Sequence, residues 1–136
     1  MKNNEQSSSI LQSIKKIFKI KKNPVIIRSN TTLTFEQLIE SLINGLVIDC
    51  TYGDISITTP TAAEIITSMD LLKYDYFNIS IIVLGKSLIY SATIIPGNGV
   101  VYGTIENPNL IIPEQNSIYT TWICYNKDTP SIILYY

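Results

Sequence analysis

The sequence contains no histidine. This removes the usual general base, the Ser–His and Cys–His nucleophile pairs, and the commonest transition-metal ligand. Only two cysteines occur, Cys50 and Cys124. They are too few for a disulfide framework and lack CxxC spacing, and a structural zinc site would need two carboxylates beside them. Each sits in a strand-like run, Leu46 to Thr51 and Ile118 to Tyr125, where a lone cysteine acts as a small buried hydrophobe; a single disulfide is the other reading. No apolar run reaches the roughly 18 residues that a membrane helix requires. The apolar positions between Ile10 and Ile20 are broken by lysines, and no small-residue cleavage site follows, unlike a secretory signal. The expectation is a soluble protein made in the cytoplasm, with no cofactor, no metal and no small-molecule substrate.

Charge is also scarce, at 15% of residues, while 46% are apolar. That balance lies far from disorder, and 136 residues are enough for one domain with its own core. The apolar residues are rich in Ile, Val and Tyr, and Thr accompanies them; these types suit a pleated, half-buried surface. The net charge of −1 hides an asymmetry. Residues 1–28 hold seven of the ten basic residues against one acid, Glu5, whereas the remainder holds three lysines against ten acids. A basic arm on an acidic body points to a partner rather than to the fold, although a solvated tail has the same appearance.

Two units follow: an arm at 1–22 and a β-rich domain at 23–136. In the arm, Ile10, Ile14, Ile17 and Phe18 recur at helical spacing, with Lys15, Lys16, Lys19 and Lys22 largely around the other side. Ser7 to Ser9 supply an N-cap, and Asn23-Pro24 stops the predicted helix. The residues Ile14, Lys15, Lys16, Ile17, Phe18, Lys19 and Lys22 form a candidate tether to a membrane, a nucleic acid or a protein groove. Folding back onto the domain is equally open.

Within the domain, Val25 to Arg28 reads as a strand. Thr34 and Gln37 form a capping-box pattern ahead of the stripe Phe35, Leu38, Ile39, Leu42 and Ile43, and Asn44-Gly45 closes that helix. Leu46 to Thr51 and Ile55 to Thr58, either side of Tyr52-Gly53-Asp54, suggest a hairpin. A second helix opens at Thr59-Pro60-Thr61, with Glu64 completing another box pattern and Ala62, Ile65, Ile66, Met69 and Leu72 or Lys73 on one face. From Tyr76 onward the helical period disappears. Phe77 to Leu84, Lys86 to Ile95, Val100 to Ile105, Asn109 to Ile112, Ser117 to Asn126 and Ser131 to Tyr136 read as strands separated by turn residues. Without βαβ alternation, the fold class is mainly β, an antiparallel sandwich or jelly-roll-like domain with two short helices and the N-terminal amphipathic helix.

Chemistry-bearing motifs are few. Asp49 and Asp54 flank one turn, where Asp favours backbone capping over catalysis, and their spacing is not that of an EF-hand. Pro96-Gly97-Asn98-Gly99 fails as a phosphate loop because a strand follows it; it reads as a hairpin turn. The tyrosines lack the basic surroundings of a base-stacking surface. Trp122 lies in an apolar strand, where core or interface packing is expected.

Residues 31–136 resemble a domain of structural proteins from tailed phages and some large DNA viruses. The resemblance runs through Leu33-Thr34-Phe35-Glu36-Gln37-Leu38, Gly45-Leu46-Val47-Ile48, the helix start Thr59-Pro60-Thr61-Ala62-Ala63, the turn Gly97-Asn98-Gly99-Val100, the step Ile112 to Ser117, and the last strand, Ile132 to Tyr136. It departs between Asp75 and Leu84, where Tyr76-Phe77-Asn78 replaces a Gly-x-Ser-Phe step. The resemblance implies a non-enzymatic virion protein: a homotrimeric capsid-decoration or minor capsid protein held to a capsid protein by its basic arm. The alternative is a peripheral adaptor whose arm binds an anionic membrane or nucleic acid, and a hydrolase using carboxylates alone is the third reading.

Overall fold

The computed structural model describes residues 23–103 and 109–136. The predicted amphipathic helix, with its candidate tether residues, lies outside that range. The described chain is mainly β, with two helices and ten strands in two mixed sheets.

Strand β1 (Val25–Ile27) is followed by β2 (Thr31–Thr32), helix α1 (Phe35–Asn44), β3 (Leu46–Asp49), β4 (Ile55–Thr58) and helix α2 (Ala62–Met69). Then come β5 (Tyr76–Leu84), β6 (Ser91–Ile95), β7 (Val100–Tyr102), β8 (Leu110–Pro113), β9 (Asn116–Asn126) and β10 (Ser131–Tyr135). A six-stranded sheet runs β1-β3-β5-β9-β10-β7 and a four-stranded sheet runs β2-β4-β6-β8. Up to β9 the chain changes sheet at every strand.

That alternation corrects the expectation of an antiparallel fold. The pairs β1/β3, β3/β5, β2/β4, β4/β6 and β7/β10 are parallel. Each excursion to the other sheet and back is long enough for the crossover that parallel pairing needs, and α1 and α2 sit within two of them. The strands β5/β9, β9/β10 and β6/β8 are antiparallel. The two expected hairpins are also corrected. Strands β3 and β4 belong to different sheets, as do β6 and β7. A period of two in burial looks the same whether a turn folds a strand onto its neighbour or carries it across the core.

Both helices start where the capping residues place them. Thr34 Oγ1 accepts from the Gln37 N–H at 3.1 Å, and the Gln37 side chain accepts from the Thr34 N–H at 3.0 Å. Gly45, at φ +88°, ends α1 with its N–H on Ser41 O. At α2 only half of the box forms, with Thr61 Oγ1 accepting from the Glu64 N–H at 3.1 Å. Asp70 closes α2 in the left-handed conformation, at φ 51°. That reversal turns Leu71 inward and leaves Leu72 exposed, so the predicted apolar face does not continue to Leu72 or Lys73.

One cluster of buried side chains joins both sheets, including Ile48, Ile79, Ile81, Trp122 and Ile132 from one and Ile57, Ile94 and Ile112 from the other. The Phe77 and Trp122 rings stack at 5.5 Å between centroids. Trp122 donates its indole N–H to Thr120 Oγ1, which in turn donates to Ile79 O, so the polar atoms of this layer are paired. Cys50 and Cys124 are buried, free thiols, which matches the hydrophobe reading.

Replacing Thr34 by Ala removes the acceptor of a complete capping box and should cost about 1 kcal/mol, read as a lower midpoint in urea unfolding. Thr61→Ala should cost no more than this, because its box is half formed; a larger loss at Thr61 would contradict the capping geometry.

Candidate interaction surface

The carboxylates do structural work. Asp49 accepts from the Thr51 N–H at 3.1 Å and from the Thr51 hydroxyl, with Arg28 Nε 3.8 Å away. These bonds, and then the Arg28 charge, hold the Asp49 carboxyl below its ordinary range. Asp54 accepts from the Ser91 N–H at 2.9 Å. The two acids that the turn brings near each other therefore serve separate backbone sites. Glu114 is fully buried, and its carboxylate accepts from the Ser87 hydroxyl at 3.1 Å and the Tyr90 N–H at 3.4 Å. Sequence reasoning missed Glu114, because nothing local distinguishes it from a solvated turn acid. These bonds gather residues 86–90 over the carboxylate, which is why β6 begins at Ser91 rather than at the expected Lys86.

The thiols offer no nucleophile. Burial pushes both Cys50 and Cys124 above the ordinary thiol range, so they are protonated and enclosed at neutral pH. Among the described residues no group of three or more His, Cys, Asp or Glu could hold a metal ion. No buried side-chain polar atom there lacks a partner. No helix among them is long and apolar enough to cross a membrane.

The turn at Pro96–Gly99 is a packing element. The Gly97 N–H reaches Thr59 Oγ1 at 2.7 Å, Asn98 O accepts from the Ala62 N–H, and Gly99 O accepts from the Ile132 N–H. A Cβ on Gly97 would lie 2.5 Å from Thr59 O and 2.6 Å from Pro60 O. The glycine here is a condition for backbone to approach backbone.

What the structure does assemble is a surface. On the outward side of the six-stranded sheet, Ile26, Val47 and Ile82 stand in register across β1, β3 and β5, with Leu84 beside them. A second row crosses the other end: Tyr76, Ile123, Ile133 and Val101 on β5, β9, β10 and β7. Between the rows lie Ser80 opposite Tyr119, and Asn78 opposite Thr121. Ile82, Leu84 and Val101 are 44, 46 and 49% exposed, and Tyr119 is 62% exposed. Among the outward-facing strand residues Asp49 is the only charged one. A cleft of about 310 Å³ opens between the end of α1 and this face, lined by Asn78, Ser80 and Tyr119 with residues 41–45. A second cleft of about 360 Å³ lies at the Arg28–Asp49 corner. The tyrosines of this face were legible as strand residues, but their gathering on one side was not.

No protein family matches the chain, and neither a curated protein nor a solved structure matches it.

Gly97→Ala should destabilise the fold by about 2 kcal/mol or more, since the obstructing atoms are backbone. Gly53→Ala, with open space around the added methyl, should stay within about 0.5 kcal/mol. Chemical denaturation of both variants compares them directly, and equal effects would remove the packing role given to Gly97. A thiol reagent at pH 7 should modify neither cysteine in the native protein and both after unfolding. Because burial raises both thiols, their contribution to stability is complete below about pH 8.5. It declines as pH rises through their folded values. A stability profile that improves above pH 9 would contradict this.

Proposed function

We propose that the chain is a non-enzymatic structural protein that assembles with copies of itself through the outward face of its six-stranded sheet. The observation that carries this reading is the scarcity of charge on that face, where Ile26, Ile82, Leu84, Val101 and Tyr119 are exposed and Val47, Tyr76, Ile123 and Ile133 are half-buried beside them. Solvent-facing sheet surfaces ordinarily alternate with polar and charged residues, and a contiguous apolar face marks an interaction site. Tyrosine is enriched in such sites because it presents a large apolar area with a polar tip.

In this reading the two sheets form a β-sandwich and the assembly is a homotrimer. It decorates a virion, made in the host cytoplasm, and residues 1–22 tether it to a capsid protein. The viral resemblance of residues 31–136 supports the setting, and the concentration of lysine in 1–22 supports the tether. That same lysine concentration favours the adaptor reading, in which the arm binds an anionic membrane or nucleic acid and the body does not assemble.

Light scattering on the purified chain should give three times its 15.3 kDa mass at micromolar concentration. The double substitution Ile82→Lys with Tyr119→Lys should return it to one chain mass without lowering the unfolding midpoint. A parent protein that stays monomeric, yet pellets with anionic vesicles in a salt-sensitive way, would replace assembly with the adaptor reading.

A further inference from the structure

We infer that the assembly is a head-to-tail ring, in which the loop before β6 of one copy seats Leu88 and Ile89 in the cleft between the end of α1 and the sheet face of the next. This rests on the assembly reading and names the residues that the partner copy brings to that face. A three-fold ring cannot be closed by one self-complementary patch; each copy must present two different surfaces that fit each other. The described residues carry one of each kind.

The projecting surface is the loop at residues 85–90, which leaves the six-stranded sheet after Leu84 and enters the other sheet at Ser91. Leu88 and Ile89 are 65% and 73% exposed, the highest values among the described Ile, Leu and Val side chains. The buried Glu114 carboxylate holds the loop on both sides of this pair, accepting from the Ser87 hydroxyl at 3.1 Å and from the Tyr90 N–H at 3.4 Å. Leu88 sits at φ 61°, a left-handed conformation that a branched side chain adopts at a cost and keeps only where its surroundings fix it. A loop already fixed in this way loses little freedom on docking, which favours association.

The receiving surface is the cleft of about 310 Å³, whose lining includes Leu42, Ile43, Asn78, Ser80 and Tyr119. A cavity of about 150 Å³ admits a six-carbon ring, so the cleft has room for both aliphatic side chains. Leu88 and Ile89 are exposed, so no copy fills its own cleft. Leu84, from which the loop departs, lies about 13 Å along β5 from Ser80, which separates the two surfaces as a ring requires.

Charge complements the fit. The last turn of α1 has no basic residue, so the negative end of the helix dipole faces the cleft unopposed within its own helix. The loop brings the exposed Lys86 beside its apolar pair. Arg28 and Lys73, the other cations beside this face, lie at Asp49 and over the Tyr125 ring, and neither lines the cleft.

The test uses the full chain. Chains carrying Ile89→Cys and chains carrying Ser80→Cys are co-expressed and oxidised briefly at micromolar concentration, the two native thiols being buried. The mixture should give disulfide-linked pairs of chains, and neither variant alone should do so. Independently, Leu88→Asn with Ile89→Ser, in which Asn tolerates the left-handed backbone, should raise the concentration at which light scattering loses the trimer at least tenfold. Pairs formed by either variant alone, a trimer without links in the mixture, or a trimer indifferent to the double substitution would overturn the docking and leave the assembly reading standing. A parent chain that stays at one chain mass at every concentration would overturn both.

Discussion

At several corners where this chain passes from one sheet to the other, a side-chain oxygen accepts from a backbone N–H in place of a ladder carbonyl. An N–H withdrawn from water without a partner costs the desolvation of that group, so the fold depends on these acceptors most at the part-buried Tyr90, Gly97 and Leu110 amides. Asn30 Oδ1 accepts from the Ser56 N–H at 2.8 Å, and one crossover later Asp54 Oδ1 accepts from the Ser91 N–H. Glu114 accepts from the Tyr90 N–H, Thr59 from the Gly97 N–H, and the Tyr102 hydroxyl from the Leu110 N–H. Tyr102 also donates to Ile94 O, so one side chain from the six-stranded sheet ties β6 to the start of β8. Burial pushes its phenol above the ordinary range, which keeps that proton in place as a donor.

These acceptors account for how the scarce polar residues are used. With 15% charged residues, the domain has few acids to spare, and Asp49, Asp54 and Glu114 are all engaged on backbone or hydroxyl donors. Of the strand residues on the outward face of the six-stranded sheet only Asp49 is charged, with Arg28 beside it and Lys73 over the Tyr125 ring. The contrast between the paired interior of the described residues and the sparsely charged outward face is the basis for the proposed assembly. Asp49, Asp54 and Glu114 are thereby occupied, and both thiols are enclosed.

Much of the secondary structure was legible from local chemistry. Thr34 with Gln37, Thr61, Asn44-Gly45 and the strand periods of Phe77 to Leu84 and Ser117 to Asn126 marked their elements to within a residue or two, because caps and alternation act over neighbouring positions. Pairing was not legible. The run of Ile55 to Thr58 alternates whether it returns to β3 or crosses to lie against β2 and β6, and the antiparallel expectation followed from the nearer of the two choices. Glu114 and Thr59 were silent for the same reason, since their donors lie 24 and 38 residues away.

The sequence by itself determined a β-rich domain with two capped helices, two buried cysteines without a site, and a strong separation of positive arm from negative body. Those properties depend on composition and on interactions within a few residues. The tertiary structure alone decided that the sheets are mixed, that the glycine turn is wedged against the start of α2, and that Ile26, Val47, Ile82 and Tyr119 share one face. Register between strands distant in the chain sets these, and register is chosen by the packing of the whole core.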